Sequence, residues 1–400
     1  MIFDALTFQL GYNATLVTIG AILLGMAAGV TGTFLFLRKR ALVSDAIAHA
    51  TLPGVGLAFI GMTLLGFDGR NLPGLLVGSA ISALLGLVVV QWLTARTRLS
   101  EDAAIGAVLS AFFSFGIVLL TVIQTMQAGG QAGLESFLLG STAGMLFSDA
   151  LLIAVGGAAV VVLVFLFRRP MTLVSFDPGF AATSGMNLNR VDLIMMGLVL
   201  GVTVVGLKVV GLILIVALLI IPPVTARFWS ERSDHVVLLA GLFGALAAWI
   251  GAALSASAPD LPTGPLIVLV SFAMFAASML LAPRRGLLSS LYRHRRFQSG
   301  VHVRQGLLAL AQGQPIYEPL TLRLLKREGL ARPDGVATED GKASAARALR
   351  DEKRWEIARA TPDLELAAAR YDGLTRIEDV LTSDQIDEID RRIGGPEVVA

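Results

Sequence analysis

This 400-residue chain has no cysteine. That excludes disulfides, thiolate metal ligands and thiol catalysis together. Charge is scarce as well: Asp, Glu, Lys and Arg make up only 16%, where a soluble globular protein carries about a quarter. A Gly-x-x-x-x-Gly-Lys-[Ser/Thr] phosphate-binding run is missing too, so any ATP hydrolysis has to come from another subunit. The opening Met1-Ile2-Phe3-Asp4 has no basic stretch and no small-residue cleavage site, which argues against a cleaved signal peptide.

What fills the chain instead is apolar. Hydrophobic residues reach 55% and the mean hydropathy is +0.73. Several apolar runs are about 20 residues long, enough to cross a hydrocarbon core as helices. The expected fold is therefore an all-α polytopic membrane protein. Candidate spans are 13–37, 52–66, 72–93, 104–124, 149–167, 192–206, 209–225, 236–255 and 264–282, the second short enough to begin nearer Ala41. Basic clusters at Arg38-Lys39-Arg40, Arg96 with Arg98, Arg168-Arg169, Arg227 with Arg232, and Arg284-Arg285 all fall inside with nine passes and an outside N-terminus. Eight passes, with 192–225 as one helix, would strand the first or the last cluster outside. The glycine-rich loop 125–135 then lies outside, and the small-residue segment 138–149 reads as a short dipping helix or as a packing surface.

Lys208, between Gly206 and Gly211, is the reason to break 192–225. Two readings fit: an interrupted helix at a transport pathway, or a lysine snorkelling from a helix end. Asp45 and His49 are ionisable, four apart, and so share one helical face inside apolar sequence. A charge inside a bilayer is expensive and usually has both a partner and a task. A carboxylate and an imidazole are ordinary ligands of a divalent transition metal, or they tie neighbouring turns or helices structurally. Between Arg169 and Asp192, Asp177 can cap a helix starting at Pro178 that Gly185 ends. Phe176 and Phe180 would be exposed on it, as a docking knob for another protein or as an interfacial helix.

Charge divides the chain. Residues 1–304 hold 18 Lys/Arg and 12 Asp/Glu; residues 305–400 hold 14 and 18, a net of −4. The expected organisation is a transmembrane domain at 1–286, a basic juxtamembrane linker at 287–304 and a cytoplasmic domain at 305–400. The basic run, with Arg284, Arg285, Arg293, Arg295, Arg296 and Arg304, suits anionic lipid on the inner leaflet.

The membrane part resembles the permease subunits of bacterial manganese, zinc and iron ABC importers. The resemblance is carried by Leu42-Val-Ser-Asp45-Ala-Ile-Ala-His49-Ala-Thr-Leu-Pro53-Gly54, by Phe176-Asp177-Pro178, and by Val209-Val-Gly211 running to Pro222-Pro223-Val-Thr-Ala226-Arg227. Asp260-Leu-Pro262-Thr263-Gly264-Pro265 and Leu281-Ala-Pro283-Arg284-Arg285-Gly286 complete it. It implies a type II ABC importer fold in the bacterial cytoplasmic membrane, with two permease chains, identical or related, around the pathway. It implies an ABC ATPase dimer docked on 176–187 and an extracytoplasmic metal-binding protein. The cargo would be Mn, Zn or Fe, with no permanently bound cofactor, and Asp45 and His49 fall on the pathway. The alternative is a membrane-tethered, metal-responsive transcription regulator.

The tail resembles metal-dependent repressors of the diphtheria-toxin-repressor type, in Leu324-Leu-Lys326-Arg327-Glu328-Gly329-Leu330, in Ala343 to Glu356, and in Ile377-Glu378-Asp379 and Gly394-Gly395-Pro396. That implies a small winged-helix-like domain. The chain departs from the pattern at the metal ligands, with Asp379, Thr375 and Tyr371 where the repressors carry imidazole or sulfur. It also runs almost directly from one helix to the next around Gln314-Pro315. Together with the net negative charge, this predicts a regulatory or docking remnant with no specific nucleic acid partner.

Overall fold

The computed structural model describes Thr7 and residues 12–69, 71–126, 147–257 and 261–393. The glycine-rich loop and most of segment 138–149 lie outside these, as do Pro259, Asp260 and Gly394-Gly395-Pro396. The chain forms two units, Met1–Leu287 and Leu288–Ala400.

The first unit is built of helices α1 (Tyr12–Leu37), α2 (Ala41–Leu64), α3 (Leu72–Arg96), α4 (Glu101–Thr125), α5 (Phe147–Phe176), α6 (Pro178–Thr183), α7 (Leu188–Val210), α8 (Leu212–Trp229), α9 (Ser233–Ala256) and α10 (Thr263–Leu281). Local chemistry sets several starts. Asn71 accepts from the Gly74 N–H at 3.1 Å and Asn187 from that of Arg190 at 3.1 Å. Ser100 caps α4, with Glu101 and Asp102 in its first turn, where carboxylates meet the positive end of the helix dipole. Among the described residues, eight helices are long and apolar enough to cross a bilayer, and α8 adds a shorter apolar stretch, Ile215–Trp229.

The second span, short at 52–66, takes the earlier of its two expected starts and begins at Ala41. Its first turns carry Asp45 and His49, and because the two groups meet each other the helix runs on through them. The break in 192–225 falls at Gly211, whose φ is 84°, a conformation glycine adopts without a side-chain clash. A Cβ on Gly206 would lie 2.5 Å from Ile215 Cδ1. Nine residues of continuous helix span about 13.5 Å, so the chain turns sharply between them. The Lys208 side chain lies outside the described residues.

α1 is the central helix, packed against α9, α5, α8 and α7, while α2 packs on α3 and α4. α1 meets both α8 and α9 backbone to backbone: a Cβ on Gly32 would lie 1.8 Å from the Leu219 carbonyl oxygen of α8. A Cβ on Gly25 would come within 2.3 Å of the Gly244 carbonyl oxygen, and one on Gly29 within 2.1 Å of that of Ala240. Lipid supplies no hydrophobic drive between helices, so small residues that let backbones meet are what hold such pairs.

The second unit contains α11 (Leu287–Ala311), α12 (Pro319–Arg327), α13 (Glu339–Ala360), α14 (Glu365–Ala368) and α15 (Ser383–Ile393). Residues 287–304, expected as a linker, lie within the continuous α11. Seven residues join α11 to α12, the short interval expected there. Among the described residues this unit has no strand, only an isolated antiparallel bridge from Ala331 to Ala337, so a winged sheet is not formed. Its core gathers Trp355, Ala358, Ile377, Leu381 and Ile389, with Trp355 Nε1 donating to the Thr375 carbonyl at 3.0 Å.

Gly29→Val should push α1 off α9 and lower stability by about 1–3 kcal/mol, the usual cost of overpacking. Gly197→Ala, which meets nothing within 4 Å, should change little. Thermal unfolding of the two purified variants in one detergent tests this.

Candidate functional site

Asp45 begins the second turn of α2 and His49 the third, roughly 6 and 12 Å in from Ala41 at 1.5 Å per residue. His49 Nε2 stands 3.3 Å from Asp45 Oδ1, with side chains 17% and 38% exposed. The imidazole meets Phe113 of α4 edge to face, with centroids 5.0 Å apart. Its Nδ1 is buried and has no hydrogen-bond partner among the described residues. A buried polar atom without a partner costs about 1–3 kcal/mol. No group of three or more His, Cys, Asp or Glu side chains placed to hold a metal exists among the described residues. Asp45 and His49 alone are fewer than the four to six ligands that a divalent transition metal takes.

The basic end of α2 is tied into a network. Lys39 adopts a left-handed φ of 58°, which turns α1 into α2 within three residues and sends Arg38 and Arg40 to the same acid. Arg38 donates twice to Asp192 at the head of α7, at 2.9 and 2.8 Å, and once to the Val174 carbonyl near the end of α5 at 3.0 Å. Arg40 reaches Asp192 at 3.2 Å and Glu101 at the head of α4 at 3.0 Å. The Arg38 and Asp192 side chains are 16% and 17% exposed. Beside them lies a cavity of about 400 Å³ lined by Arg40, Gln91, Thr94, Glu101, Asn189 and Asp192.

Between the two tied ends hangs α6. Its cap is as expected: Asp177 Oδ1 accepts from the Phe180 N–H at 2.8 Å, Pro178 is the first residue, and Gly185 closes the segment at φ 80°. Phe176 and Phe180 are each 58% exposed. α5 is 30 residues long, about 45 Å against a hydrocarbon core of about 30 Å, and α6 follows its last turn.

Sequence reasoning missed Asp192 and Glu101. Each is an acid in the first turns of an apolar helix, and in this bundle such an acid needs a cation nearby; the Arg38-Lys39-Arg40 cluster supplies it.

In the second unit, the positions resembling metal ligands are otherwise engaged. Arg304 occupies the centre, 3.0 Å from Asp351 and 2.9 Å from Glu352, its side chain 14% exposed. The Tyr371 hydroxyl donates to Glu352 at 2.6 Å. Burial, then this bond, pushes the phenol up to about 12. Burial also works to raise Glu352, but Tyr371 and Arg304 outweigh it and hold the carboxyl below its ordinary range. Glu378 faces Arg354 at 3.4 Å.

A helical membrane bundle with a rigid exposed helix slung from one end has the build of a permease subunit. The chain belongs to the ABC 3 transport family, whose model matches residues 12–282. It is 40% identical over 310 residues to the manganese transport system membrane protein MntC of Bacillus subtilis, covering 77% of this chain and 70% of that protein. It is 39% identical over 285 residues to the zinc transport system membrane protein TroC of Treponema pallidum, covering 71% and 94%. Among solved structures, PsaBC from Streptococcus pneumoniae, in complex with a Fab, matches 71% of this chain and 98% of its own, at 30% identity and a TM-score of 0.62.

Arg38→Gln leaves the Asp192 carboxylate half-compensated in a largely buried site. Removing one member of a buried pair costs about 3–5 kcal/mol, and this pair, partly exposed and shared with Arg40, should lie at or below the low end. Arg38→Asp combined with Asp192→Arg should recover part of the loss. A double-mutant cycle by thermal unfolding measures it; additive losses would mean that the two residues do not interact.

Proposed function

We propose that this chain is the permease subunit of an ATP-driven importer of a divalent transition metal in a bacterial cytoplasmic membrane. The observation that carries the reading is the Asp45–His49 pair inside α2 of a family permease. It is an ionisable acid beside an imidazole whose second nitrogen is buried and unpartnered. The names of the relatives favour manganese or zinc as cargo, with iron chemically admissible.

Two ligands per chain make a second permease chain, identical or related, the natural source of the remainder, so that paired α2 helices face one pathway. An extracytoplasmic metal-binding protein delivers the ion. A dimer of cytoplasmic ABC ATPases docks on 176–187, gripping Phe176 and Phe180. Movement of α6 would pull on the ends of α5 and α7. Arg38 is bonded to both and Arg40 to Asp192, so the pull reaches the start of α2, one turn below Asp45. The Gly206–Lys208–Gly211 break lets α7 and α8 shift separately beside α2.

The basic face of α11 meets anionic lipid, and the second unit is a cytoplasmic, degenerate metalloregulator-like module. The regulator alternative gains nothing from a centre filled by Arg304.

Asp45→Asn and His49→Ala should each cut metal uptake by at least about tenfold, the scale set by losing one group of a metal site, while membrane insertion and ATPase assembly persist. Uptake of radioactive manganese and zinc into reconstituted vesicles measures this. Undiminished uptake by both variants would refute the assignment.

A further inference from the structure

We propose that the second unit carries a binding cleft for a small organic polyphosphate of nucleotide size. The cleft holds about 800 Å³ between α11, α13 and the segment around residues 374–378, within the 300–1,000 Å³ typical of small-molecule sites. Arg296, Arg347, Arg350 and Arg376 line it. All four are exposed, and among the described residues none of them forms an ion pair.

Two further arginines in the lining are already neutralised: Arg304 by Asp351 and Glu352, and Arg354 by Asp390 and Glu378. Six arginines and three acids, Glu328, Asp351 and Glu378, line the cleft, a net of +3, while Glu352 and Asp390, outside the lining, also bond Arg304 and Arg354. The contrast with the surroundings matters, because residues 305–400 carry a net of −4. Four exposed arginines that form no ion pair among the described residues share this one concavity. Like charges gathered in a cleft repel one another and focus a positive field at its mouth, and a multivalent anion relieves both. The guanidinium fork matches phosphate oxygens two at a time and stacks on flat rings.

The rest of the lining selects the ligand further. Val303, Leu307, Leu330 and Leu374 line the same cleft, half-buried, and give an organic group an apolar surface that inorganic phosphate would not use. The chain has no phosphate-binding loop of its own, so nucleotide binding by the permease without its ATPase would report this cleft. The inference does not depend on the transport reading.

The test is calorimetric titration of the full-length chain, purified without ATPase, in nanodiscs of neutral lipid at physiological salt. ATP should bind with a dissociation constant of about 10–100 µM, in the range of modest small-ligand sites, and adenosine should not bind. Arg347→Ala with Arg350→Ala, and separately Arg376→Ala, should weaken ATP at least about tenfold, the equivalent of one charge-assisted bond. Unfolding temperatures should not change, since these side chains are exposed. The proposal is overturned by no binding at millimolar ATP, or by equal binding in the variants. It is overturned equally if anionic lipid in the nanodisc, or a DNA duplex, displaces ATP and takes the cleft itself.

Discussion

The Arg38–Asp192 ion pair is the point at which the first unit is held together at its basic end. One guanidinium closes the gap between α5 and α7 by bonding the Val174 carbonyl and the Asp192 carboxylate at once. Arg40 carries the same acid across to α4 through Glu101. Neither acid is stable at the edge of an apolar layer without such a partner, and neither arginine has a closer use. α6 hangs between the two helices that Arg38 joins, and α2 starts from the turn that Arg38 belongs to. The proposed docking helix and the proposed metal pair are thus linked through a few short polar contacts, in a bundle whose other contacts are largely apolar or glycine-mediated.

That arrangement suits a machine driven from one side. Where α1 meets α9 the backbones touch at Gly25 and Gly244, with no side chain to absorb a shift, so the two helices move together. α8 is held against α1 in the same way at Gly32 and Leu219, and Gly211 separates it from α7.

How much of this the sequence disclosed varied with distance along the chain. α6 was readable residue by residue, because an N-cap aspartate, a first-position proline and a closing glycine are local signals. The break at Gly211 was readable from the glycines around Lys208, though the lysine itself misplaced it by three residues. The start of α2 was readable only in part: the span 52–66 was short enough to point back toward Ala41, but hydropathy falls where Asp45 and His49 sit, and their mutual contact shows why the helix survives. The Arg38–Asp192 pair joins residues 154 apart, and no local pattern reports such a contact. In the tail, the departures at Thr375, Tyr371 and Asp379 were legible, but not the bonds of Arg304 to Asp351 and Glu352, made across the unit. The expected wing reduced to a single bridge, since the short turn at Pro333-Asp334-Gly335 leaves too few residues on either side for a ladder.

The central claim is that Asp45 and His49 meet the transported ion. Pulsed electron paramagnetic resonance on the purified, full-length permease loaded with Mn²⁺ tests it most directly. The account predicts a nitrogen-14 coupling from a bound imidazole that disappears in His49→Ala, and a weaker Mn²⁺ signal in Asp45→Asn. A nitrogen coupling that persists unchanged in His49→Ala, or bound Mn²⁺ with no imidazole nitrogen in the unaltered protein, would contradict it.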